Sequence, residues 1–226
     1  MERQVDKLAR RSFLAGTAAI GVLALPGCET IRQFSLVDAI RRLLTLASQR
    51  ALDRLMAPGG FWDDQVARLD IPDLVGRRGN IVASILTSTL FKDRLQREFN
   101  HVAERGARRA APLVAEAVRT VGIANAKAIL DGGPTAATGF LRGAMAGALI
   151  EAMVPELADA LRISQEPLVA QVLQALTGVD VSGVARDLSL EVDDAIWSAI
   201  GREESAIRAD PQATNDPVLI GVLGVA

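Results

Sequence analysis

Apolar residues recur every three or four positions along most of the chain after residue 35, which is the period of an amphipathic helix. The first such stripe consists of Leu36, Val37, Ile40, Leu44, Ala47, Ala51 and Leu55. Ser35 and Asp38 have the spacing of a capping pair, so this helix is predicted to begin at Ser35. No segment shows the strict apolar–polar alternation that predicts a strand.

Proline and glycine divide the remaining chain. A loop is predicted at 57–72, with Phe61 and Trp62 as its anchors. Further helices are predicted at about 73–87, 89–110, 112–121, 123–131, 134–161, 164–177, 190–208 and 216–223. Three prolines suit the first turn of a helix, namely Pro112, Pro134 and Pro217. Pro155 should bend the long helix. The predicted fold is a single all-α domain, a compact bundle of about eight to nine helices.

The N-terminal segment has a different pattern. A charged start with a net positive charge precedes an uncharged, mostly apolar run that ends near residue 25. A positive start, a short apolar run and a small residue at the cleavage site are typical of a secretory signal. The run is shorter than the roughly 20 apolar residues that cross a membrane. Arg10 and Arg11, followed by Phe13 and Leu14, resemble a twin-arginine export signal.

The motif LPGC at 25–28 resembles a bacterial lipobox, whose cysteine becomes the acylated first residue of the mature chain. This resemblance implies lipidation of Cys28; the alternative is an ordinary cleaved signal with a buried thiol nearby. Glu29, where aspartate would imply retention in the inner membrane, favours the outer membrane. The predicted organisation is a signal peptide, a short tether and a helical domain, at 1–27, 28–34 and 35–226.

Charge argues against a nucleic-acid-binding function. Without residues 1–27 the chain keeps 21 of its 25 basic and 25 of its 27 acidic residues, a net charge of −4. A nucleic-acid-binding domain needs a clear basic excess on one face. The basic spots at 77–78 and 105–109 are interpreted as solvated helix faces. With one cysteine the chain forms no internal disulfide, so its core must hold it together.

Candidate catalytic residues are few. The only histidine, His101, is interpreted as a boundary residue beside an apolar stripe and not as a base. His and Cys metal sites are excluded by count, and no metal or cofactor is predicted. Three acidic pairs occur, Asp63-Asp64, Asp193-Asp194 and Glu203-Glu204. Because neighbours on a helix point about 100° apart, these pairs are interpreted as solvated surface and not as acid/base dyads.

Glycine recurs at every fourth position at Gly139, Gly143 and Gly147. Each glycine costs about 1 kcal/mol relative to alanine in a helix interior. A face without side chains lets another helix approach closely. This face is therefore interpreted as tight packing inside the bundle, with an apolar ligand channel or a dimer face as the alternatives.

Two stretches carry a family resemblance: NAKAILDGGPTAAT at 125–138, and ESAIRADP at 204–211, which precedes a polar turn and an apolar tail. Both resemble the bacterial family called domain of unknown function 4197 (DUF4197), whose members are exported helical proteins, many with a lipobox. The chain departs from the family pattern at Asn125, usually aspartate, and at 139–140, usually an aromatic pair. The family has no established activity, so the resemblance implies fold and compartment only.

The segment LDGGPTAAT has two interpretations. The first is a helix end at the glycines followed by a new helix near Pro134. The alternative is an anion site at the N-terminus of that new helix.

The sequence thus predicts an exported, lipid-anchored protein on the periplasmic side of the cell envelope, with a binding or structural role. Its expected partners are the membrane, through the anchor, and an envelope protein or apolar ligand; nucleic acid is not expected. Two alternatives remain open. A lipid carrier should have a continuous apolar cavity along the glycine face, and a carboxylate-based hydrolase should bring two acidic side chains together in a cleft.

Overall fold

The computed structural model describes residues 27–69, 89–163 and 181–224. In these ranges the chain is helical and forms no strand, which confirms the all-α prediction. The elements are α1 (Gly27–Met56), α2 (Thr89–Thr120), α3 (Ala126–Leu130), α4 (Ala136–Met145), α5 (Ala148–Ile163), α6 (Val181–Ala209), a 3-10 helix (Pro211–Thr214) and α7 (Pro217–Leu223).

One core lies between four helices. Helix α1 packs on α2 and α6, and α5 packs on the same two helices from another side. The predicted stripe of α1 faces this core, since Ile40, Leu44 and Leu55 are fully buried. From α5 the core receives Met153 and Leu157. Each fully buried side chain of this size contributes about 1.5–3 kcal/mol through the hydrophobic effect.

Helix α1 begins at Gly27, so the predicted start at Ser35 is wrong. Residues 29–38 contain no proline or glycine, and nothing in that segment stops a helix. Asp38 does not cap the helix. Its carboxylate instead accepts a hydrogen bond from Arg42 Nε at 2.8 Å, four residues further along the same helix.

The first-turn predictions for Pro112 and Pro134 are wrong, since Pro112 lies inside α2 and α4 begins only at Ala136. Helix α2 continues through Pro112, because a buried stripe formed by Ala107, Ala110, Val114 and Val118 runs past it on one face. A proline removes one backbone hydrogen bond, and this continuous packing outweighs that loss. The predicted helix 134–161 is instead divided between α4 and α5. Ala146 and Gly147 take positive φ angles of 43° and 81° there, a left-handed helix end. Pro155 lies inside α5.

The remaining boundaries agree in part. Helix α6 begins nine residues before the predicted start at residue 190. The predicted last helix is confirmed, with Pro217 in its first turn. Asp216 caps it by accepting hydrogen bonds from the backbone N–H groups of Val218 at 2.8 Å and Leu219 at 3.2 Å. The predicted helices 73–87 and 164–177 lie outside the described residues, as do Arg10, Arg11, Phe13 and Leu14 of the export signal.

Among the described residues, the three periodic glycines do not form the close helix contact that their spacing predicted. Gly139 and Gly143 are exposed, and a Cβ atom added at either, or at Gly147, would meet no atom within 4 Å in the described part of the chain. Other glycines are closely approached, among them Gly106 and Gly201. A Cβ on Gly106 would lie 3.2 Å from Leu157 Cδ2, and one on Gly201 would lie 3.2 Å from Thr135 Cγ2. The interpretation as a ligand or dimer face stays a prediction.

Within the described ranges, no helix has the length and hydropathy needed to cross a bilayer.

Candidate functional site

A cleft of about 570 Å³ lies where the C-terminal end of α1 and the following loop meet α6. This volume is in the range of about 300–1,000 Å³ typical of small-molecule sites. Five charged side chains line it: Arg54, Asp63, Asp64, Arg202 and Glu203. The remaining lining comes from the loop segment 57–60.

The loop that forms one wall is held tightly against α1. A Cβ on Gly60 would lie 2.2 Å from the carbonyl oxygen of Arg54, so only glycine fits there without a backbone shift. Gly59 has a φ of +79°, which favours glycine. Phe61 anchors the end of this segment in the core, as predicted, and is fully buried. The wall therefore has a defined backbone position.

Two ion pairs cross the cleft, and one carboxylate stays unpaired. Arg54 Nη2 lies 2.7 Å from Glu203 Oε1, and Arg202 Nη2 lies 2.5 Å from Asp64 Oδ2. Asp63 is exposed and makes no ion pair with the described residues. The Nη1 atom of Arg202 is buried and has no hydrogen-bond partner there. An unsatisfied buried donor costs about 1–3 kcal/mol. The lining thus has one carboxylate, Asp63, without an ion pair among the described residues.

A buried carboxylate supports the loop from behind. Glu104 Oε1 accepts a hydrogen bond from the backbone N–H of Gly59 at 2.8 Å. Its other oxygen, Oε2, has no hydrogen bond and lies 3.3 Å from His101 Nδ1 and 3.7 Å from Arg108 Nη2. The His101 side chain is exposed, and among the described contacts it faces this carboxylate and no nucleophile. His101 is therefore an exposed residue within α2, and the interpretation that it is not a base stays a prediction.

The solvated-surface interpretation is wrong for Asp193. Its carboxylate is buried and accepts hydrogen bonds from Trp197 Nε1 at 2.9 Å and from Arg142 Nη2 at 3.0 Å. Burial raises the pKa of Asp193, and the bonds from Trp197 and Arg142 only partly offset that effect. Its neighbour Asp194 is exposed and also pairs with Arg142.

Glu204 is fully buried, so the solvated-surface interpretation is wrong there too. Its carboxylate accepts hydrogen bonds from the backbone N–H of Ala137 at 3.0 Å and of Thr138 at 2.7 Å, and from Thr138 Oγ1 at 2.6 Å. Arg208 Nε donates to it at 2.8 Å. Glu204 falls on the apolar stripe of α6 with Ile200 and Ile207, and the helical period alone could have revealed its burial.

The two stretches that carried the family resemblance therefore meet in space. Glu204 lies at the N-terminus of α4, and Arg208 donates to the carbonyl oxygens of Leu130 at 2.9 Å and Ile129 at 3.1 Å at the end of α3. The segment between α3 and α4 is a helix–helix connection, as its first interpretation predicted, but Gly132 and Gly133 do not take a left-handed conformation and the next helix begins at Ala136, after Pro134. The anion position at the start of α4 is filled by the chain's own carboxylate.

A second cleft of about 160 Å³ lies beside Gly147, with Arg142, Asp193 and Trp197 in its lining. It is smaller than the sites that hold drug-sized ligands, and an ion pair occupies part of its wall. Neither Gly139 nor Gly143 lines it. This cleft does not provide the apolar channel that a lipid carrier needs.

Metal binding finds no support in the described ranges, where no three His, Cys, Asp or Glu side chains are grouped so that they could hold an ion.

Fold and cleft together define a single-core, all-α protein whose first and last long helices border a cleft with five charged side chains in its lining. The family model described as "Protein of unknown function (DUF4197)" matches residues 30–224. The chain belongs to this family. The matched range includes both motifs and all described core helices apart from the first three residues of α1. Comparison with curated proteins gave no match, and comparison with solved structures gave none.

Proposed function

We propose that this protein is exported and lipid-anchored at Cys28, and that its helical domain binds a small charged ligand in the cleft at the far end of α1. The signal pattern of residues 1–27 and the lipobox-like LPGC motif support export and acylation. The family is one of unknown function, so the binding role rests on the cleft alone.

The observation that carries the proposal is the length of α1. Cys28 lies in its first turn, and Arg54, which lines the cleft, lies 26 residues later in the same helix. At about 1.5 Å per residue the two positions are on the order of 40 Å apart. An acylated Cys28 would tether one end of the helix at the membrane, while the cleft lies at the other end.

A carboxylate-based hydrolase is the second candidate, because Asp63, Asp64 and Glu203 line the same cleft. Acid/base hydrolysis needs one carboxyl group to donate a proton and another to accept one or attack. Asp64 and Glu203 are each already paired with an arginine, so neither carboxylate is free to act as an acid or a base. Binding through these charged groups is therefore favoured over catalysis.

Replacing Cys28 with serine tests the anchor. Because serine cannot form the thioether, Cys28→Ser should abolish labelling by a radioactive fatty acid, while circular dichroism should still show the helical fold. Labelling that persists in Cys28→Ser would overturn the anchor.

The cleft is tested by thermal shift with a panel of small charged solutes, using the parent and Arg202→Met. A stabilising solute should lose its effect in Arg202→Met and keep it in Arg162→Met, an exposed arginine that pairs with Asp159 elsewhere. Turnover of a solute that depends on Asp63 would instead establish the hydrolase.

A further inference from the structure

Trp62 lies against two arginines. The Cζ atoms of Arg68 and Arg97 are 4.5 Å and 4.3 Å from the centroid of its ring, within the range of cation–π contact. Arg68 also donates from Nε to the backbone carbonyl of Trp62 at 2.5 Å. One aromatic ring thus holds two guanidinium groups near each other.

Neither guanidinium has a carboxylate partner. Arg68 and Arg97 are exposed and form no ion pair with the described residues, whereas Arg54, Arg202 and Arg208 all do. Two like charges beside one ring repel each other, and no acidic side chain among the described residues pairs with either of them. A guanidinium binds anions through its N–H edges.

The two arginines are held in place from both sides. In the loop, Asp64 Oδ1 accepts hydrogen bonds from the backbone N–H groups of Val66 at 2.9 Å and Ala67 at 3.1 Å. On α2, Asn100 Oδ1 accepts from the N–H of Leu69 at 3.0 Å, and Gln96 Nε2 donates to the carbonyl of Leu69 at 2.8 Å.

These tethers connect the residues next to each arginine. Leu69, which follows Arg68, is buried against α2, and Gln96 directly precedes Arg97 on that helix. The loop therefore cannot move Arg68 far from Arg97 without breaking buried hydrogen bonds. Pre-organised donors lose less entropy when they bind a ligand.

We infer that Arg68 and Arg97, with Trp62 as their platform, form a binding site for a phosphate group. A guanidinium is a planar fork that matches two phosphate oxygens, and a phosphate offers enough oxygens to engage both forks at once. The site is separate from the cleft, which neither arginine lines. The phosphate can belong to a soluble compound or to a phospholipid headgroup.

Trp62 itself reports binding. The chain has two tryptophans, and Trp197 is buried beside Asp193. Titration of the full-length protein with inorganic phosphate at constant ionic strength should change tryptophan emission and reach saturation. The change should be absent in Trp62→Phe, which keeps an aromatic face but removes the fluorophore.

Single substitutions assign the site. Arg68→Gln and Arg97→Gln should each weaken phosphate binding about tenfold, the loss expected for one charge-assisted contact. Arg50→Gln is the matched control, because Arg50 is exposed and contacts no aromatic ring in the described part of the chain. It should leave the affinity unchanged. Arg97→Lys keeps the charge but not the fork and should also weaken binding, which gives a second test if a Gln variant is poorly folded.

Vesicles then distinguish the source of the phosphate. An anionic lipid headgroup would be identified if the Cys28→Ser chain sediments with phosphatidylglycerol vesicles but not with phosphatidylcholine vesicles. Adding Arg68→Gln to this chain should then abolish the sedimentation. Phosphate binding without vesicle binding would identify a soluble phosphate compound. The inference is overturned if neither phosphate nor vesicles bind in a way that depends on Arg68 and Arg97. It is also overturned if Arg50→Gln weakens binding as much as the Arg68 and Arg97 variants do.

Discussion

The Glu204→Gln substitution offers the sharpest test of how the two family stretches hold the fold. Glutamine has nearly the same shape as glutamate but carries no charge. Its NH₂ group is itself a hydrogen-bond donor and would face other donors where the carboxylate offers an acceptor. Four donors converge on the carboxylate, from Ala137, Thr138 (twice) and Arg208. The Arg208 side chain is only 12% exposed, so the substitution leaves a largely buried guanidinium without its counter-charge.

Removing one partner of a buried ion pair costs about 3–5 kcal/mol. A domain of this size unfolds with a free energy of about 5–15 kcal/mol, so Glu204→Gln should remove a large part of it. Since 1 kcal/mol shifts the Tm of a domain this size by about 2–4 °C, the expected decrease is roughly 6–20 °C. Urea denaturation followed by circular dichroism measures the loss directly.

A double substitution separates the ion pair from simple disruption. Replacing both charges by apolar side chains of similar size leaves no unpaired charge, so Glu204→Leu with Arg208→Met should lose less than the sum of the single changes. Glu151→Gln is the exposed control, since its pair with Arg186 should be worth at most about 1 kcal/mol. A loss below about 1 kcal/mol for Glu204→Gln, or strict additivity in the cycle, would refute the reasoning.

Two further predictions concern packing and pH. Gly106→Leu should destabilise the protein by about 1–3 kcal/mol through overpacking, because even a Cβ there would lie 3.2 Å from Leu157 Cδ2. Gly143→Leu is the control and should leave the Tm almost unchanged. Equal melting temperatures for the two variants would contradict this prediction. Asp216→Ala should cost about 0.5–2 kcal/mol at neutral pH through loss of the helix cap. Desolvation raises the pKa of Asp216, but the bonds from Arg42 and from the N–H groups of Leu219 and Val218 outweigh it and hold the pKa below 3.8. The contribution of the Asp216 carboxylate to stability is therefore complete above pH 3.8 and is lost as the pH falls through the lower folded-state pKa. The unfolding free energies of the parent and Asp216→Ala, measured by urea denaturation, should converge at acid pH. A difference that widens at acid pH would contradict this direction.

The local pattern of the sequence was sufficient for the fold class. The three- and four-residue spacing of apolar positions predicted the buried face of α1, because that period depends only on helix geometry. The last helix was also predictable, since Asp216 and Pro217 act within one turn of each other. The family stretches could likewise be read from the chain alone.

Other features depend on partners distant in sequence, and no local pattern contains them. Pro112 stays inside α2 because the core packs along one face past it, and α4 ends at Ala146 although no proline stops it. The glycine that lies close to another helix is Gly106 and not the periodic set, because only the packing of α2 against α5 and α6 decides which backbone is approached.

The charged groups show the same division. The sequence placed Glu204 and Asp193 in adjacent acidic pairs, but donors to their buried carboxylates lie 66 and 51 residues away, in Thr138 and Arg142. The cleft likewise joins Asp64 to Arg202 across 138 residues. The helical period depends only on residues that are neighbours along the chain, so it can be predicted directly from the sequence. The environment of a charge depends on which helices pack together, and for this protein only the tertiary structure decided it.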